Sequence, residues 1–256
     1  MAAMLEVQSL SRAYGGIRAV DDVSFSVARG VLTGVIGPNG AGKTTLFNLI
    51  SGTVRPTSGV VLLDGRPLAG LSAGAVARRG LVRTFQMTTV FANCSVWQNL
   101  YRAALFRQLP TPAALMNPFT LKARRERAAA AASSALETVG MQALADADAG
   151  SLAYGQQKVL GVGMALAAAP RMLLMDEPAA GLNPVETEAL GDLIARVHAS
   201  GIDIILVEHD MQMVMRLCRR IVVLVNGRLL AEGNAAEIRG NPQVIEAYLG
   251  ADLDNA

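Results

Sequence analysis

A glycine-rich segment at residues 37–44 has the residue types and spacing needed to bind phosphate groups. It reads Gly-Pro-Asn-Gly-Ala-Gly-Lys-Thr and fits the pattern of phosphate-binding loops, Gly-x-x-x-x-Gly-Lys followed by Ser or Thr. Glycines let the backbone N–H groups point at phosphate oxygens, Lys43 can reach the β- and γ-phosphates, and the Thr44 hydroxyl can coordinate Mg²⁺. The segment predicts a nucleotide site with contacts from Gly37, Pro38, Asn39, Gly40, Ala41, Gly42, Lys43 and Thr44.

The residues on either side of this loop support the prediction. Residues 31–36 form an apolar run typical of a buried strand, and residues 44–50 have a helical pattern. A strand, a loop and a helix in this order are the setting in which such a loop binds phosphate, and the helix adds the positive end of its dipole beneath the anion. This context argues against the alternative of an ordinary glycine-rich turn.

Two adjacent carboxylates, Asp176 and Glu177, follow a second hydrophobic run at residues 172–175. Phosphoryl transfer requires a metal anchor and a base close to the phosphates, and strand ends beside the loop can supply both. Asp176 is expected to hold Mg²⁺, usually through water, and Glu177 to polarise an attacking water. The alternative is that Asp-Glu-Pro forms a simple turn.

A third segment, residues 152–157, reads Leu-Ala-Tyr-Gly-Gln-Gln and comes directly before a predicted helix. The backbone N–H groups at the start of a helix attract phosphate. Because the loop at residues 37–44 already serves one end of the chain's own nucleotide, this second segment is expected to face the nucleotide of another molecule. The sequence therefore predicts a dimer.

Alternating strand and helix signals predict an α/β fold with a mostly parallel sheet covered on both faces. Asn226-Gly227 predicts a hairpin, and residues 108–120, with three prolines, predict a loop. A helical block is predicted at about residues 90–165. The expected strands cover residues 5–10, 23–27, 31–36, 60–63, 81–85, 172–175, 202–207 and 221–225, and the expected helices of the block cover residues 96–107, 121–139 and 155–169.

Composition excludes several classes of protein. The chain is 52% hydrophobic, but its longest apolar run without charge, residues 159–170, is well below the roughly 20 residues that span a bilayer. A net charge of +2 gives no argument for nucleic acid, and the basic run at residues 122–127 is expected to be a solvated helix face. Cys94 and Cys218 lack metal-like spacing and are expected to be free thiols in a reducing compartment.

Taken together, the motifs resemble those of the ATP-binding subunits of ABC transporters, and the similarity extends over nearly the whole chain. The motifs that carry it, in the family's order, are residues 37–45, Thr84-Phe85-Gln86, residues 152–156, Asp176-Glu177-Pro178 and Val207-Glu208-His209-Asp210. Within the family, the subunits that power branched-chain amino acid uptake are the most similar. That finer resemblance rests on Gly15-Gly16 after Tyr14 and on residues 37–48, 83–86, 152–157, 179–184, 208–211 and 244–250.

The resemblance implies a fold and roles for individual residues. The fold would be a single ABC cassette over residues 1–256: a P-loop ATPase core, an antiparallel β subdomain and a helical subdomain inserted at about residues 90–165. Tyr14 would stack on adenine, with Val20 near the ribose and base. Gln86 would bind Mg²⁺ or the attacking water, and His209 would contact the γ-phosphate and hold the water with Glu177. Thr45 would join the phosphate loop, and the nucleotide of a partner cassette would be contacted by Ala153, Tyr154, Gly155 and Gln156.

It also implies ATP and Mg²⁺ as cofactors and a set of partners. These are a second cassette, identical or a sister subunit, two integral membrane permease subunits and, indirectly, a substrate-binding protein, with no nucleic acid. The cassette would be cytoplasmic, bound to the inner face of the membrane through the permease. The sequence departs from the family's usual pattern at two places. Ala153 replaces a common serine, so backbone N–H groups would have to supply more of the contacts to the partner's γ-phosphate. Gly161 and Gly163 interrupt a helix.

Other functions remain as alternatives. Urea uptake or lipopolysaccharide export would use similar cassettes, and a nucleotide-dependent assembly module would bind nucleotide without significant turnover. DNA-repair ABC ATPases are disfavoured because the sequence shows no sustained heptads, and GTPases because it lacks an Asn-Lys-x-Asp motif.

Overall fold

The helix that follows the phosphate loop lies between two β-sheets, and this layering organises the fold. The computed structural model describes residues 3–84, 90–108 and 118–253. The strands in these residues are β1 (Ala3–Tyr14), β2 (Ile17–Ala28), β3 (Thr33–Ile36), β4 (Ser58–Leu63), β5 (Arg66–Pro67), β6 (Leu81–Thr84), β7 (Met172–Asp176), β8 (Asp203–Val207), β9 (Arg220–Val225) and β10 (Arg228–Gly233).

The helices cover most of the remaining described residues. They are α1 (Lys43–Ile50), α2 (Ala73–Arg78), α3 (Val96–Gln108), α4 (Pro118–Thr138), α5 (Tyr154–Ala167), α6 (Pro184–Ala199), α7 (Met211–Leu217), α8 (Ala235–Arg239) and α9 (Pro242–Leu253). Short 3₁₀ turns at Gln142–Leu144 and Ala149–Ser151 lie between α4 and α5. None of the helices in the described residues is long and apolar enough to cross a bilayer.

The larger sheet has the strand order β10-β9-β3-β8-β7-β6, and all its neighbouring pairs are parallel except β9 with β10. Every residue of β3, β7 and β8 is buried, as the near-continuous apolar runs of these strands predict for a parallel sheet covered on both faces. Parallel strands end at one edge of the sheet, so β3, β7 and β8 deliver the residues that follow them to a common place.

The smaller sheet is antiparallel, with the order β2-β1-β4-β5. Its apolar side chains, together with those of α1, fill one hydrophobic core between the two sheets. A second core lies on the other side of the large sheet, where side chains of α3, α4, α5 and α6 pack together. The predicted α/β fold with an additional antiparallel sheet is confirmed, whereas the subdomain boundaries at about 90 and 165 stay a prediction.

Several local predictions are confirmed. Asn183 caps α6 by accepting the Glu186 N–H at 3.0 Å, and the Glu186 side chain accepts the Asn183 N–H at 3.0 Å. Asn226 and Gly227 have positive φ angles of 50° and 77° in the turn between β9 and β10. Cys94 and Cys218 are free thiols.

The predicted loop at residues 108–120 is wrong at both ends. Gln108 still belongs to α3, and α4 begins at Pro118, while residues 109–117 lie outside the described part of the chain. Proline is tolerated in the first turn of a helix, where its missing N–H has no intrahelical partner to lose. The sequence analysis also missed the short helices α2 and α8 and the C-terminal helix α9.

Gly163 has a packing role in α5. A Cβ atom added to Gly163 would lie 3.0 Å from Leu100 Cδ2 and 3.3 Å from Val139 Cγ1. These contacts are tighter than normal van der Waals distances, so α5 approaches α3 and the end of α4 closely because residue 163 has no side chain.

We expect Gly163→Val to lower the free energy of unfolding by about 1–3 kcal/mol, because its methyl groups would overfill this contact. Gly16→Val is the matched control, since no atom lies within 4 Å of a Cβ added at Gly16. Urea denaturation of both variants measures the difference. Equal midpoints for the two variants would mean that α5 packs loosely at this position.

Candidate nucleotide site

The phosphate loop connects the end of β3 to the start of α1, and its glycines are required by the space around them. A Cβ atom at Gly37 would lie 2.1 Å from the Leu224 carbonyl oxygen, and one at Gly42 would lie 2.3 Å from the Ala19 carbonyl oxygen. Gly42 also has a φ of 97°. The loop therefore approaches neighbouring backbone on both sides, which fixes its curvature.

Lys43 turns its ammonium group back into the loop. Its Nζ donates to the Gly37 carbonyl at 2.6 Å and to the Pro38 carbonyl at 3.0 Å. The residue is 6% exposed, and burial lowers the pKa of its ammonium, whereas the negative charges of Glu177 and Asp176 raise it. The structure thus brings the Lys43 charge close to both predicted carboxylates.

Asp176 is the last residue of β7 and is held by a cation that the sequence analysis missed. Its Oδ2 accepts a hydrogen bond from Arg83 Nη2 at 2.5 Å, and Arg83 Nη1 donates to Asn48 Oδ1 at 2.6 Å. The side chains of Arg83 and Asp176 are only 8% and 5% exposed. This buried ion pair connects β6, β7 and α1 beneath the phosphate loop.

Glu177 and His209 come from different strand ends and meet as the sequence analysis expects. His209 Nε2 lies 2.8 Å from Glu177 Oε1. Glu177 has a φ of 48°, a left-handed conformation that is rare outside glycine, and its N–H donates to the Val207 carbonyl at 2.9 Å. The roles proposed for the two side chains stay predictions, but their pairing is a feature of the fold.

Glu208 is a second residue of this region that the sequence analysis did not assign. It is 4% exposed, and its carboxylate accepts the N–H groups of Ala179 at 2.7 Å and His209 at 3.1 Å. Burial raises the pKa of Glu208, the amides of Ala179, His209 and Asp210 lower it, and the negative charge of Glu177 raises it. In the sequence, this buried carboxylate is indicated only by its place between an apolar strand and a histidine.

The start of α5 uses part of its hydrogen-bonding capacity within the chain. The Ala153 N–H donates to Gln156 Oε1 at 3.1 Å, and the Tyr154 hydroxyl donates to the Ala180 carbonyl at 3.2 Å. A Cβ at Gly155 would lie 2.5 Å from Glu186 Oε1. The Ala153 N–H therefore has a partner within the chain, and the contact of this segment with a partner's nucleotide stays a prediction.

The other residues that the sequence predicts to contact nucleotide or Mg²⁺ differ in how exposed they are. Tyr14 is 44% exposed, and the Arg12 guanidinium lies 4.5 Å from its ring centroid. Val20 is fully buried in the core between the sheets, so it offers no surface to a base in this structure. Gln86 lies outside the described residues. Thr44 is exposed, and Thr45 is half-buried.

The described residues contain no cluster of three or more His, Cys, Asp or Glu side chains that could hold a metal ion by themselves. Of the oxygen ligands that the sequence predicts for a metal, the Thr44 hydroxyl and the Asp176 carboxylate lie in the described residues. This sparse set fits Mg²⁺, which binds one or two protein ligands and completes its shell with water and substrate phosphates. It does not fit a metal that requires an all-protein cage.

A family pattern described as ABC transporter matches residues 20–180. The chain belongs to the ABC transporter family. It is an ATP-binding cassette, which confirms the resemblance seen in its motifs, while the contacts of residues 37–44 with nucleotide stay a prediction. A second pattern, described as branched-chain amino acid ATP-binding cassette transporter, matches residues 228–254.

Curated relatives cover the chain almost completely. The high-affinity branched-chain amino acid transport ATP-binding protein BraF of Pseudomonas aeruginosa is 42% identical over 250 residues, 96% of this chain and 98% of BraF. LivG of Escherichia coli K12, named for the same transport, is 40% identical over 96% of this chain and 98% of LivG. The lipopolysaccharide export ATP-binding protein LptB of Acidithiobacillus ferridurans is 34% identical over 98% of both chains.

Solved cassettes have the same fold. A nucleotide-free ATP-binding cassette of an ABC transporter superposes with a TM-score of 0.83 at 29% identity and covers 96% of this ABC cassette and 98% of its own chain. The ADP conformation of the cassette MJ1267 gives a TM-score of 0.84 at 29% identity, with 98% and 100% covered. The expected cassette fold is therefore confirmed.

We expect Arg83→Met to lower the free energy of unfolding by about 3–5 kcal/mol, because Asp176 would keep a buried charge without its cation. Arg216→Met is the control: Arg216 pairs with Asp192 at 2.9 Å, but their side chains are 42% and 57% exposed, so we expect a loss below about 1 kcal/mol. Chemical denaturation without nucleotide or Mg²⁺ measures both. Similar small losses would show that the buried pair contributes little.

Proposed function

We propose that this cassette hydrolyses ATP to drive an importer of branched-chain amino acids. The observation that carries the proposal is the convergence of Lys43, Asp176, Glu177 and His209 around the phosphate loop, at the ends of β7 and β8 and the start of α1. The names of BraF and LivG and the family match at residues 228–254 support the choice of cargo.

The loop would bind the triphosphate through its backbone amides and Lys43. The Lys43 ammonium already lies at the concave side of the loop, 2.6 Å from the Gly37 carbonyl, so a small movement brings it to a phosphate oxygen. The amides of Gly40, Gly42 and Thr44 and the dipole of α1 add partial positive charge. Tyr14 would stack on adenine, and a contact of Val20 with the nucleotide would require Val20 to become exposed.

Thr44 and Asp176 would hold Mg²⁺, with Gln86 as a further ligand. Bound there, Mg²⁺ neutralises charge on the phosphate oxygens. Arg83 keeps one oxygen of Asp176 occupied at 2.5 Å, so the other oxygen is the one that is available to a metal-bound water. The ion pair thereby fixes the direction in which Asp176 presents its charge.

Glu177 would act as the general base for the attacking water. The left-handed backbone at Glu177 and the hydrogen bond to His209 at 2.8 Å hold its carboxylate at the mouth of the site. Glu177 would accept a proton from the water while the His209 imidazole orients Glu177 and contacts the γ-phosphate.

A second cassette would complete each site. The start of α5, with Ala153, Tyr154, Gly155 and Gln156, would face the partner's triphosphate, and the exposure of Ala153, Tyr154 and Gln156 supports this. Two such chains, or this chain and a sister subunit, would close around two ATP molecules. Closure would then be transmitted to two permease subunits, which receive cargo from a substrate-binding protein.

An apolar groove beside β6 fits a permease segment. It is lined by side chains of α2, α3 and α5, it ends at Thr84, two residues before Gln86, and it exposes the rings of Phe91 and Phe106, 48% and 47% exposed. An exposed apolar surface of this kind marks an interaction site. Because Gln86 follows Thr84 closely in the sequence, a permease segment bound in this groove would be coupled to the nucleotide.

Lipopolysaccharide export is the second candidate, because LptB is 34% identical over 98% of this chain. The family match at residues 228–254 favours amino acid uptake.

We expect Glu177→Gln to lower the ATPase rate by about 100-fold or more while ATP affinity is kept, because an amide cannot accept the proton from water. Lys43→Ala is the contrasting variant and should weaken ATP binding itself. Phosphate release and a fluorescence titration with labelled ATP measure the two effects. Near wild-type hydrolysis by Glu177→Gln with Mg²⁺ present would remove Glu177 as the base.

Phe106→Glu should abolish co-purification of the cassette with its membrane subunits, because a charge would enter the apolar groove. Ile245→Glu is the matched control: Ile245 is also 47% exposed but lies on α9, outside the groove. Thermal unfolding verifies that both variants fold, and mass spectrometry identifies the bound subunits. Equal recovery of permease with both variants would exclude the groove as the docking site, and an export permease would exclude amino acid uptake.

A further inference from the structure

Glu208 is an unusual residue at its position because it is charged, buried and not needed by the proposed chemistry. It directly follows β8, is 4% exposed, and turns its side chain towards the segment after β7. A buried carboxylate is costly unless its oxygens are hydrogen-bonded, and both oxygens of Glu208 are. The arrangement therefore requires a structural or functional reason.

The carboxylate of Glu208 holds the backbone next to both members of the Glu177–His209 pair. Oε1 accepts the N–H of Ala179, two residues after Glu177, at 2.7 Å. Oε2 accepts the N–H of His209 at 3.1 Å. A single rigid group thus sets the separation between the backbone segments that carry the two side chains.

Two further hydrogen bonds close the network. The Glu177 N–H donates to the Val207 carbonyl at 2.9 Å, and the Glu177 and His209 side chains lie 2.8 Å apart. Glu177 adopts a left-handed φ of 48°, a conformation that persists only where the surroundings impose it. The hydrogen bond from the Ala179 N–H to Glu208 restrains the backbone two residues after Glu177, on its C-terminal side.

We propose that Glu208 is a positioning residue that sets the geometry of the Glu177–His209 pair and thereby the rate of ATP hydrolysis, without contacting nucleotide. The inference rests on the proposed roles of Glu177 and His209. A residue that acts in this way changes kcat more than nucleotide affinity, because the phosphate loop is formed by other elements.

Asp203 provides a matched control on the same strand. It begins β8, is 5% exposed, and its Oδ1 accepts the Gly30 N–H at 2.6 Å. It is therefore a buried carboxylate that fastens a backbone segment, like Glu208, but at the opposite end of β8 from Glu177. Asp203→Asn therefore reports the effect on stability of replacing a buried carboxylate by an amide at a distance from the Glu177–His209 pair.

The test compares Glu208→Gln with Asp203→Asn in the intact chain. The introduced glutamine side chain has the same shape as glutamate, but its amide nitrogen cannot accept an N–H, so one of the two backbone segments is released. We expect kcat to fall about 10- to 100-fold in Glu208→Gln, since small misplacements of reacting groups have effects of this size. The affinity for ATP should change less than about twofold, and Asp203→Asn should leave kcat within about twofold of wild type.

The two histidines of the chain give an independent readout by NMR. His209 lies beside Glu208, whereas His198 Nδ1 lies 3.0 Å from the carbonyl of Ile202, next to Asp203. Each imidazole therefore reports on one end of β8. Glu208→Gln should move the ring signals of His209 and not those of His198, and Asp203→Asn should leave the His209 signals unchanged.

The proposal is overturned if folded Glu208→Gln has the kcat and the His209 signals of wild type. If Glu208→Gln does not fold, Glu208→Asp replaces it: the shorter carboxylate keeps its charge but cannot reach both amides, so kcat should again fall with ATP affinity kept, and wild-type kcat would overturn the proposal. Failure of the proposed function is recognised separately, because Glu177→Gln would then retain turnover.

Discussion

The parallel alignment of β3, β7 and β8 is the constraint on which the nucleotide site depends. Asp176 pairs in register with Val207, so the residues that follow β7 and β8 leave the sheet side by side, next to the loop that follows β3. A shift by one residue would turn a buried side chain to the opposite face and separate Glu177 from His209. Complete burial of all three strands in apolar surroundings prevents such a shift, so the hydrophobic cores determine the relative positions of Glu177 and His209.

The parts of the site that could be predicted from the sequence are those whose geometry is local. The phosphate loop is a continuous segment, and its glycines meet steric requirements that any such loop has. Its sequence pattern was therefore sufficient to predict a loop between a strand and a helix. The places of Asp176 and Glu177 at the end of a strand could be predicted because both directly follow an apolar run. The cap at Asn183 and the turn at Asn226 belong to the same class, since all their hydrogen bonds and dihedral angles involve neighbours within a few residues.

The parts that could not be predicted depend on contacts distant in the sequence. Arg83 reaches Asp176 across 93 residues, and Glu208 reaches Ala179 across 29. A charged residue within or after an apolar strand gives no information about which distant atom it will meet, because strand order and register decide that. Burial is equally non-local: the pattern around Val20 suits exposure as well as burial, and only the packing of the antiparallel sheet on α1 encloses it.

Several buried charged side chains lie at the candidate site, and each of them has hydrogen-bond partners within the chain. Lys43 binds loop carbonyls, Arg83 and Asp176 bind each other, and Glu208 binds amides. Each arrangement offsets a desolvation cost that a hydrophobic residue would avoid, so stability alone does not explain these residues. Fixed charges in a low-dielectric site need little reorganisation during reaction, which is the main source of electrostatic catalysis. The network therefore fixes the positions of Glu177 and His209 through contacts within this chain.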